Sequence, residues 1–514
     1  MVLVEAFYTL AALMLALYGF NSLFLAIVYL WRRPHDPTPP PSPEEWPRVT
    51  VQLPLYNEIN VVERLIRATA ALDYPRERLE IQVLDDSDDE TTLLVQALVD
   101  TLRRQGLCIE HIRRPQRRGY KAGALAYGIE RARGEYIAIF DADFVPPADW
   151  LKRTVPYLHA NPRLGFVQTR WEHLNAFASP VTLAQSLALD GHFAVEQPAR
   201  AALGWPISFN GSAGLWRRQA ILDSGNWQAD TLCEDLDLSY RAQMRGWKGQ
   251  ILVDTSVPGE IPPLISAFRQ QQARWATGSI QTFRKHVRQL LRTSSLSPLA
   301  RIQAIIHQTN YLVHPLMLLV FLLTLPMLWS HRHIGVPLAY LSLASLGPPL
   351  IYMLAQWRLR RQPRRMLGFP VIMLLGLGIA WSSSRAVWRG LRHNDAAFLR
   401  TPKFRLEGQS NRWQGKRYSN TLRGLPWGES LLTLYAVGTA LWAWWNGNVY
   451  VLPFLFLYAL SFGSVALGMF WQTVQVMPGL TRPTSHPPAG IKTGMPFRPS
   501  APIRTHRTAE TPQP

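Results

Sequence analysis

The sequence is poor in cysteine and in acidic residues. It has two cysteines, Cys108 and Cys233, and 35 Asp and Glu against 54 Lys and Arg. Two cysteines supply neither a disulfide framework nor a zinc-ligand cluster, so we expect the polar part of the chain to lie in the reducing cytosol. The formal net charge is +19. Much of it lies beside apolar runs, which indicates membrane topology and lipid contact, with no nucleic-acid partner.

A secretory signal is not expected at the N-terminus. Residues 6–31 form an apolar run longer than the ~20 residues that cross the hydrocarbon. No Lys or Arg precedes this run and no small-residue cleavage site follows it. Arg32 and Arg33 come directly after it, and positive charge marks the cytosolic side of a span. Residues 1–33 are therefore predicted to form a transmembrane helix with its N-terminus outside.

The second half of the chain carries further apolar runs, at about 304–329, 335–357, 366–388, 429–446 and 449–471. If all of them crossed, the basic segment 389–423 would lie outside, against the positive-inside tendency. The second part of 366–392 mixes Ser, Arg and Trp, as interfacial helices do. We therefore predict four spans within residues 301–475, with 366–392 interfacial and both long basic loops cytosolic.

Two proline-rich segments bound the rest of the chain. Residues 34–47 are predicted to be a linker, and residues 476–514 a disordered basic tail. Residues 48–300 remain as one polar domain. The mean hydropathy of −0.04 fits such a domain averaged with several spans.

Residues 48–249 alternate between strand and helix patterns. The strand-like segments are RVTVQLP, EIQVLDD, CIEHIRR, EYIAIFDAD and GFVQTRW, and helical stretches cover 59–71, 91–105 and 120–133. This alternation predicts an α/β fold with a mostly parallel sheet. In such folds ligands bind at the carboxyl ends of the strands.

Four aspartates fall at predicted strand ends: Asp85, Asp86, Asp141 and Asp143. Residues two apart on an extended strand face the same way, so Asp141 and Asp143 would present two carboxylates together. Such a pair suits a hard divalent cation that also bridges phosphates. The alternative is a turn capped by two aspartates, and Asp85 and Asp86 are equally compatible with a turn.

Lys121 lies in the segment Gly119–Ala124, which opens a predicted helix. The lysine and the helix N-terminal amides could together meet phosphate oxygens. The alternative is an ordinary helix start with an exposed lysine.

Glu234 and Asp235 begin another predicted helix. Acidic residues in a first turn commonly complement the helix dipole. The functional alternative makes one of them a general base, and Asp230 and Asp237 are near competitors. Spacing alone does not choose among the four.

Gln271, Arg274 and Trp275 lie on an amphipathic helix that we expect on the membrane surface. Trp faces stack on the apolar faces of sugar rings, and Arg suits a diphosphate. The helix is therefore predicted to present Trp275 to the site.

Taken in order, these motifs resemble those of the processive family 2 glycosyltransferases of the cellulose-synthase superfamily. The resemblance is closest to the cellulose-synthase-like A and C proteins, which make mannan, glucomannan and glucan backbones. It covers about residues 48–290, through QLPLYNE, QVLDDSDDET, GYKAGAL, AIFDADF, FNGSAGLWR, EDLDLSYRA, RGW and FRQQQARWATG. It implies a cytosolic nucleotide-sugar-binding domain of the GT-A type joined to a helical transmembrane domain.

The resemblance also implies roles for residues. Asp85 and Asp86 would contact the nucleotide, and Asp141 and Asp143 would bind Mg²⁺ or Mn²⁺. Asp235 would be the catalytic base. The other substrate-binding positions are Lys121, Glu234, Gln271, Arg274 and Trp275. The segment Phe398 to Lys403, with Thr401, resembles the gating loop of the superfamily, although Arg400 stands where that loop usually has Val.

The implied function is polymerisation of a β-1,4-linked glycan by a membrane-embedded, inverting and processive enzyme that passes the product through its own spans. The donor would be GDP-mannose, GDP-glucose or UDP-glucose, and the acceptor the growing glycan. A lipid glycosyltransferase that adds one or a few sugars to a ceramide, diacylglycerol or polyprenyl acceptor is the alternative. The short loops and scarce cysteines favour a bacterial cell membrane over a plant Golgi membrane.

Overall fold

The computed structural model of the chain describes residues 2–330, 340–393, 400–406, 413, 416 and 425–475. Its polar domain is built on one seven-stranded sheet. The strands are β1 (Val49–Leu55), β2 (Leu79–Asp85), β3 (Ile109–Ile112), β4 (Tyr136–Ile139), β5 (Leu164–His173), β6 (Gly214–Arg217) and β7 (Lys248–Gly259).

The strand order is β3-β2-β1-β4-β6-β5-β7. Strand β6 runs antiparallel to both of its neighbours, and the other paired strands are parallel. The prediction of a mostly parallel α/β sheet is therefore confirmed. Neither β6 nor β7 was among the predicted strands.

Helices flank this sheet on both faces. They are α1 (Val2–Arg32), which precedes the sheet, and then α2 (Val62–Ala70), α3 (Thr91–Arg104), α4 (Tyr120–Ile129), α5 (Trp150–Ala160), α6 (Pro180–Gly191), α7 (Gln197–Ala202), α8 (Arg218–Asp223), α9 (Glu234–Met244) and α10 (Ile265–Arg292). A π-helical turn, His192–Glu196, joins α6 to α7. The helix predicted over 120–133 ends earlier, at Ile129.

The sheet buries both of its faces because its strands alternate between two apolar cores. On β4, Tyr136 and Ala138 face one core, while Ile137 and Ile139 face the other. This period of two fixes which way the residues after each strand point.

The segment between α1 and β1 is fastened to the domain. The Asp36 carboxylate accepts the backbone N–H groups of Val253 and Asp254, at 2.7 and 2.8 Å. The Tyr157 hydroxyl donates to the Pro37 carbonyl at 2.9 Å. The predicted linker therefore follows a defined path along the domain.

The apolar half of the chain contains the remaining helices. They are α11 (Pro298–Gln308), α12 (Val313–Trp329), α13 (Gly347–Arg358), α14 (Phe369–Gly378), α15 (Ala380–Arg392), α16 (Trp427–Trp445) and α17 (Leu452–Gln475). Helix α1 packs against α12 and α13, and α17 packs against α14 and α16.

Three helical segments in the described part of the chain are long and apolar enough to cross a membrane: Val2–Arg32, Asn310–Trp329 and Val449–Gln475. Segments Pro363–Gly378 and Ala380–Arg392 meet the same criterion as a pair but are bent by 49° where they meet. The four C-terminal spans, the interfacial position of 366–392 and the cytosolic side of the domain stay predictions. Part of the run 335–357 and the whole tail 476–514 lie outside the described residues.

Candidate active site

One cavity opens at the carboxyl ends of β1, β2 and β4, where the fold class predicts it. Most of the predicted site residues line it, although they come from segments far apart in the sequence. They are Asp86, Lys121, Asp141, Asp143, Glu234, Asp235, Gln271, Arg274, Trp275, Thr401 and Lys403. The fold therefore brings these residues to one place.

Asp141 and Asp143 follow β4 and each faces an ammonium group. The Lys121 Nζ lies 2.6 Å from the Asp141 Oδ1, and the Lys403 Nζ lies 3.0 Å from the Asp143 Oδ1. Burial lowers the pKa of both lysines, but the surrounding carboxylates outweigh it and raise the pKa of each above its ordinary value. Both lysines are therefore cations at neutral pH, and they balance the two carboxylates.

The same two carboxylates fit a divalent cation. Carboxylate oxygens are the donors that Mg²⁺ and Mn²⁺ take in proteins. No group of three or more His, Cys, Asp and Glu side chains suited to a metal occurs among the residues that the structure describes. Two carboxylates alone would leave most ligand positions of such a cation to other groups.

Asp85 and Asp86 point in opposite directions, as consecutive residues at a strand end do. Asp86 lines the cavity and accepts a hydrogen bond from the Arg114 Nε at 2.9 Å. Asp85 is buried away from the cavity, where its carboxylate lies 2.9 Å from the His111 Nε2 and 2.9 Å from the Thr92 hydroxyl. Asp86 alone of the two is placed to meet a ligand in the cavity.

Glu234 and Asp235 form the first turn of α9 and both line the cavity. Burial and the neighbouring Asp235 raise the pKa of Glu234 to about 7, against the effect of Lys121. Burial likewise raises the pKa of Asp235, and Lys121 again opposes it. A carboxylate with a raised pKa is a stronger base than an exposed one, which is the property that general base catalysis needs.

The two competing aspartates lie outside this cavity. Asp237 is fully buried and accepts hydrogen bonds from Arg241 and His286, each at 2.8 Å. Asp230 is bonded to the Lys285 Nζ at 2.7 Å. Their hydrogen bonds stabilise the packing of α9 and α10, so geometry selects Glu234 and Asp235 as the candidate bases.

Helix α10 brings Gln271, Arg274 and Trp275 to the cavity by close packing against the start of α9. A Cβ atom on Gly278 would lie 2.4 Å from the Cys233 Sγ, so a glycine is required for this approach. On its other side the Thr277 hydroxyl donates to the Ala386 carbonyl of α15 at 3.1 Å. The helix is thus held between the domain and α15.

Residues 50–222 match the family described as "Glycosyl transferase family 2". Residues 50–222 are a family 2 glycosyltransferase domain. The prediction of this enzyme class is confirmed, and the sheet is of the GT-A type.

Curated relatives agree with this family 2 assignment. The chain is 42% identical over 256 residues to glucomannan 4-beta-mannosyltransferase 7 of Arabidopsis thaliana, covering 49% of this chain and 46% of the relative. It is 38% identical over 301 residues to glucomannan 4-beta-mannosyltransferase 1 of Oryza sativa subsp. japonica, covering 55% and 58%. The chain therefore spans about half the length of the curated relatives it matches.

A solved structure shares the fold of this chain. It is a mannosyltransferase from Pyrobaculum calidifontis in complex with GDP-Man and Mn²⁺. The superposition has a TM-score of 0.51 at 22% sequence identity, and it covers 75% of this chain and 99% of that one.

Glu58 and Glu260 line the cavity, although the sequence analysis did not assign them to the site. Residues 400–406 close one side of the cavity, where Arg400 makes two hydrogen bonds of 3.0 and 3.1 Å to the Glu58 carboxylate. Glu58 belongs to the QLPLYNE motif, but its partner is 342 residues away. The backbone N–H of Phe404 donates to Glu260 at 2.9 Å. Phe398, predicted to belong to a gating loop, lies outside the described residues.

Proposed function

We propose that the chain is a membrane-embedded, inverting glycosyltransferase that polymerises a β-1,4-linked mannan or glucomannan from a nucleotide sugar. One observation carries this proposal. The carboxylates of Asp141 and Asp143, which suit a cation on a diphosphate, share a cavity with the raised-pKa carboxylates of Glu234 and Asp235. Donor binding and base catalysis thus have adjacent places in a single site.

GDP-mannose is the first donor to test. The named relatives at about 40% identity are glucomannan 4-beta-mannosyltransferases. GDP-glucose and UDP-glucose remain the other candidates that the sequence motifs indicated. The growing glycan would be the acceptor.

Asp235 is the proposed base. Its Oδ2 faces Gly211, because a Cβ atom there would lie 2.8 Å from that oxygen. Its other oxygen accepts the Leu236 backbone N–H at 2.8 Å, which fixes the carboxylate. Asp235 takes the proton from an acceptor hydroxyl, whose oxygen attacks the anomeric carbon on the side opposite the leaving diphosphate.

Positive groups in the cavity would offset the charge that the leaving group gains. Lys121 and Arg274 line the cavity, and Lys121 lies 3.8 Å from Glu234 and 2.6 Å from Asp141. Mg²⁺ or Mn²⁺ held by Asp141 and Asp143 would offset further negative charge on the diphosphate. The Trp275 ring offers a face on which a sugar can stack.

Three helical segments that could cross a membrane adjoin this domain, which supports a membrane-embedded enzyme that releases its product across the bilayer. A lipid glycosyltransferase would need the same cavity but would transfer only one or a few sugars. The length and linkage of the product distinguish the two.

The experiment is transfer by the purified full chain in lipid vesicles with Mg²⁺ or Mn²⁺ and one labelled nucleotide sugar at a time. We expect GDP-mannose to give an insoluble polymer that an endo-β-1,4-mannanase degrades. A short product that extracts into organic solvent would show that the chain is a lipid glycosyltransferase and not a polymerase. A vesicle preparation without divalent cation is the control and should give no product.

A further inference from the structure

Asn210 lines the cavity next to Gly211, where an added Cβ atom would lie 2.8 Å from the Oδ2 of the proposed base Asp235. It was not among the predicted site residues. Its backbone N–H donates to the Gln168 Oε1 at 2.8 Å, so its main chain is fixed to β5. What its side chain can offer a ligand depends on which way its amide faces, and neighbouring hydrogen bonds determine this.

Gln197 sets the orientation of the Asn210 amide. The Gln197 Oε1 accepts the backbone N–H of Ser208 at 3.1 Å, and its Nε2 donates to the Ser208 carbonyl at 2.8 Å. This double contact identifies the oxygen and nitrogen of the Gln197 amide. The same Nε2 donates to Asn210 at 3.1 Å, so the Asn210 atom facing it must be the oxygen.

His192 takes the other end of the Asn210 amide. The Asn210 Nδ2 lies 3.1 Å from the His192 Nε2, and because Nδ2 can only donate, Nε2 must be the acceptor. The ring proton is then on Nδ1, which donates to the Glu196 Oε2 at 3.2 Å. The Glu196 carboxylate therefore fixes the tautomer of His192, and this tautomer fixes the orientation of the Asn210 side-chain amide.

The contacts from Glu196 through His192 to Asn210 form a relay, and this relay includes the π-helical turn His192–Glu196. Such turns are uncommon and are frequently found at functional sites. Here the turn joins α6 to α7, which also carries Gln197, so His192, Glu196 and Gln197 reach Asn210 from one continuous segment.

One N–H of the Asn210 side chain is left over. Its oxygen and its first N–H are used by Gln197 and His192, and no residue in the described part of the chain accepts the second N–H. We propose that Glu196 and His192 are positioning residues that hold Asn210 so that this N–H donates to a hydroxyl of the sugar beside Asp235. This inference rests on the proposed function and adds a residue that orients the sugar.

The test is a double-mutant cycle on the full chain in vesicles. Asn210→Ala should lower kcat/KM about tenfold, the value of one neutral hydrogen bond in a buried site. His192→Ala should lower it severalfold, but should add nothing in the Asn210→Ala background, since it acts only through Asn210. His192→Gln restores an acceptor and should recover most of the loss. Asn161→Ala, at an exposed position outside the cavity, is the matched control and should match the wild type.

The binding of GDP-mannose and the KM of a manno-oligosaccharide assign the hydroxyl. A weaker Kd for GDP-mannose in Asn210→Ala places the contact on the donor sugar, and a raised acceptor KM at unchanged Kd places it on the acceptor. Unchanged binding and turnover, or additive losses in the double variant, would overturn the inference. Donor binding is measured without transfer, so a wild type that binds GDP-mannose but makes no product would contradict the proposed function and not the relay.

Discussion

Replacing Gly211 by alanine should reduce sugar transfer while leaving the fold intact. Gly211 has a φ of +83°, and an added Cβ would lie 2.8 Å from the Asp235 Oδ2, about 0.6 Å closer than the 3.4 Å of ordinary contact. The carboxylate must therefore move away from its present position. Since a shift of about 1 Å in a reacting group can cost ~100-fold in rate, we expect kcat to fall between about 10- and 100-fold.

Gly204→Ala is the control for this substitution. Gly204 also has a positive φ, +66°, but an added Cβ would meet no atom within 4 Å. Both variants should lose roughly 1–2 kcal/mol of stability, because a left-handed conformation is strained for alanine. The measurements are thermal unfolding and the rate of transfer from labelled GDP-mannose. If Gly211→Ala were as active as Gly204→Ala, the position of the Asp235 carboxylate would not matter to the reaction.

Three further predictions concern the charges around the cavity. A base works when deprotonated, so wild-type kcat/KM should decline in a pH–rate profile as the pH falls through the raised pKa of Asp235, and a rate that stays constant in acid would contradict this. Lys403→Ala should tighten Mn²⁺ binding severalfold in a titration without nucleotide, because it frees the Asp143 oxygen that the ammonium contacts at 3.0 Å; equal affinity would contradict the competition. Asp237→Asn should cost about 3–5 kcal/mol of stability in denaturant unfolding, since it leaves the buried Arg241 guanidinium without its charged partner. Burial raises the pKa of Asp237, but its partners hold that pKa below the ordinary value. The stability that this carboxylate contributes to the wild type should therefore be present above the pKa of an aspartate in the unfolded chain and lost in acid. An Asp237→Asn variant that unfolds like the wild type would refute this.

The sequence was sufficient for the elements whose patterns are local. Strands β1 to β5 are apolar or β-branched and are followed by polar residues, so their existence and the aspartates at their ends could be predicted. Strand β6 spans only four residues, Gly214–Arg217, and lies antiparallel between β4 and β5. A segment this short has no alternation to detect, and its direction depends on tertiary pairing.

The details of the site depended on geometry that spacing does not contain. Asp85 and Asp86 are adjacent in sequence, and the pleat of β2 decides that Asp86 faces the cavity. The spacing of the acidic residues in the sequence did not distinguish Glu234 and Asp235 from Asp230 and Asp237 as candidate bases. Packing against α10 separates them, because it encloses Asp237 among cations.

Contacts between distant segments were beyond prediction. The pairing of Arg400 with Glu58 joins residues 342 positions apart. The sequence showed only that Arg400 stands where the gating loop of the superfamily usually has valine. The relay from Glu196 to Asn210 depends on a π-helical turn, whose spacing of four residues between His192 and Glu196 resembles that of an ordinary helix.

The central claim is that Asp235 is the base of a sugar transfer that takes place in this cavity. Its most direct test is a comparison of the wild-type chain with Asp235→Asn in lipid vesicles, measuring both GDP-mannose binding and the incorporation of labelled mannose. The variant keeps the size of the side chain and loses its basicity. We predict binding within a few-fold of the wild type and no detectable polymer. Polymer formation by Asp235→Asn at near wild-type rate would contradict the claim.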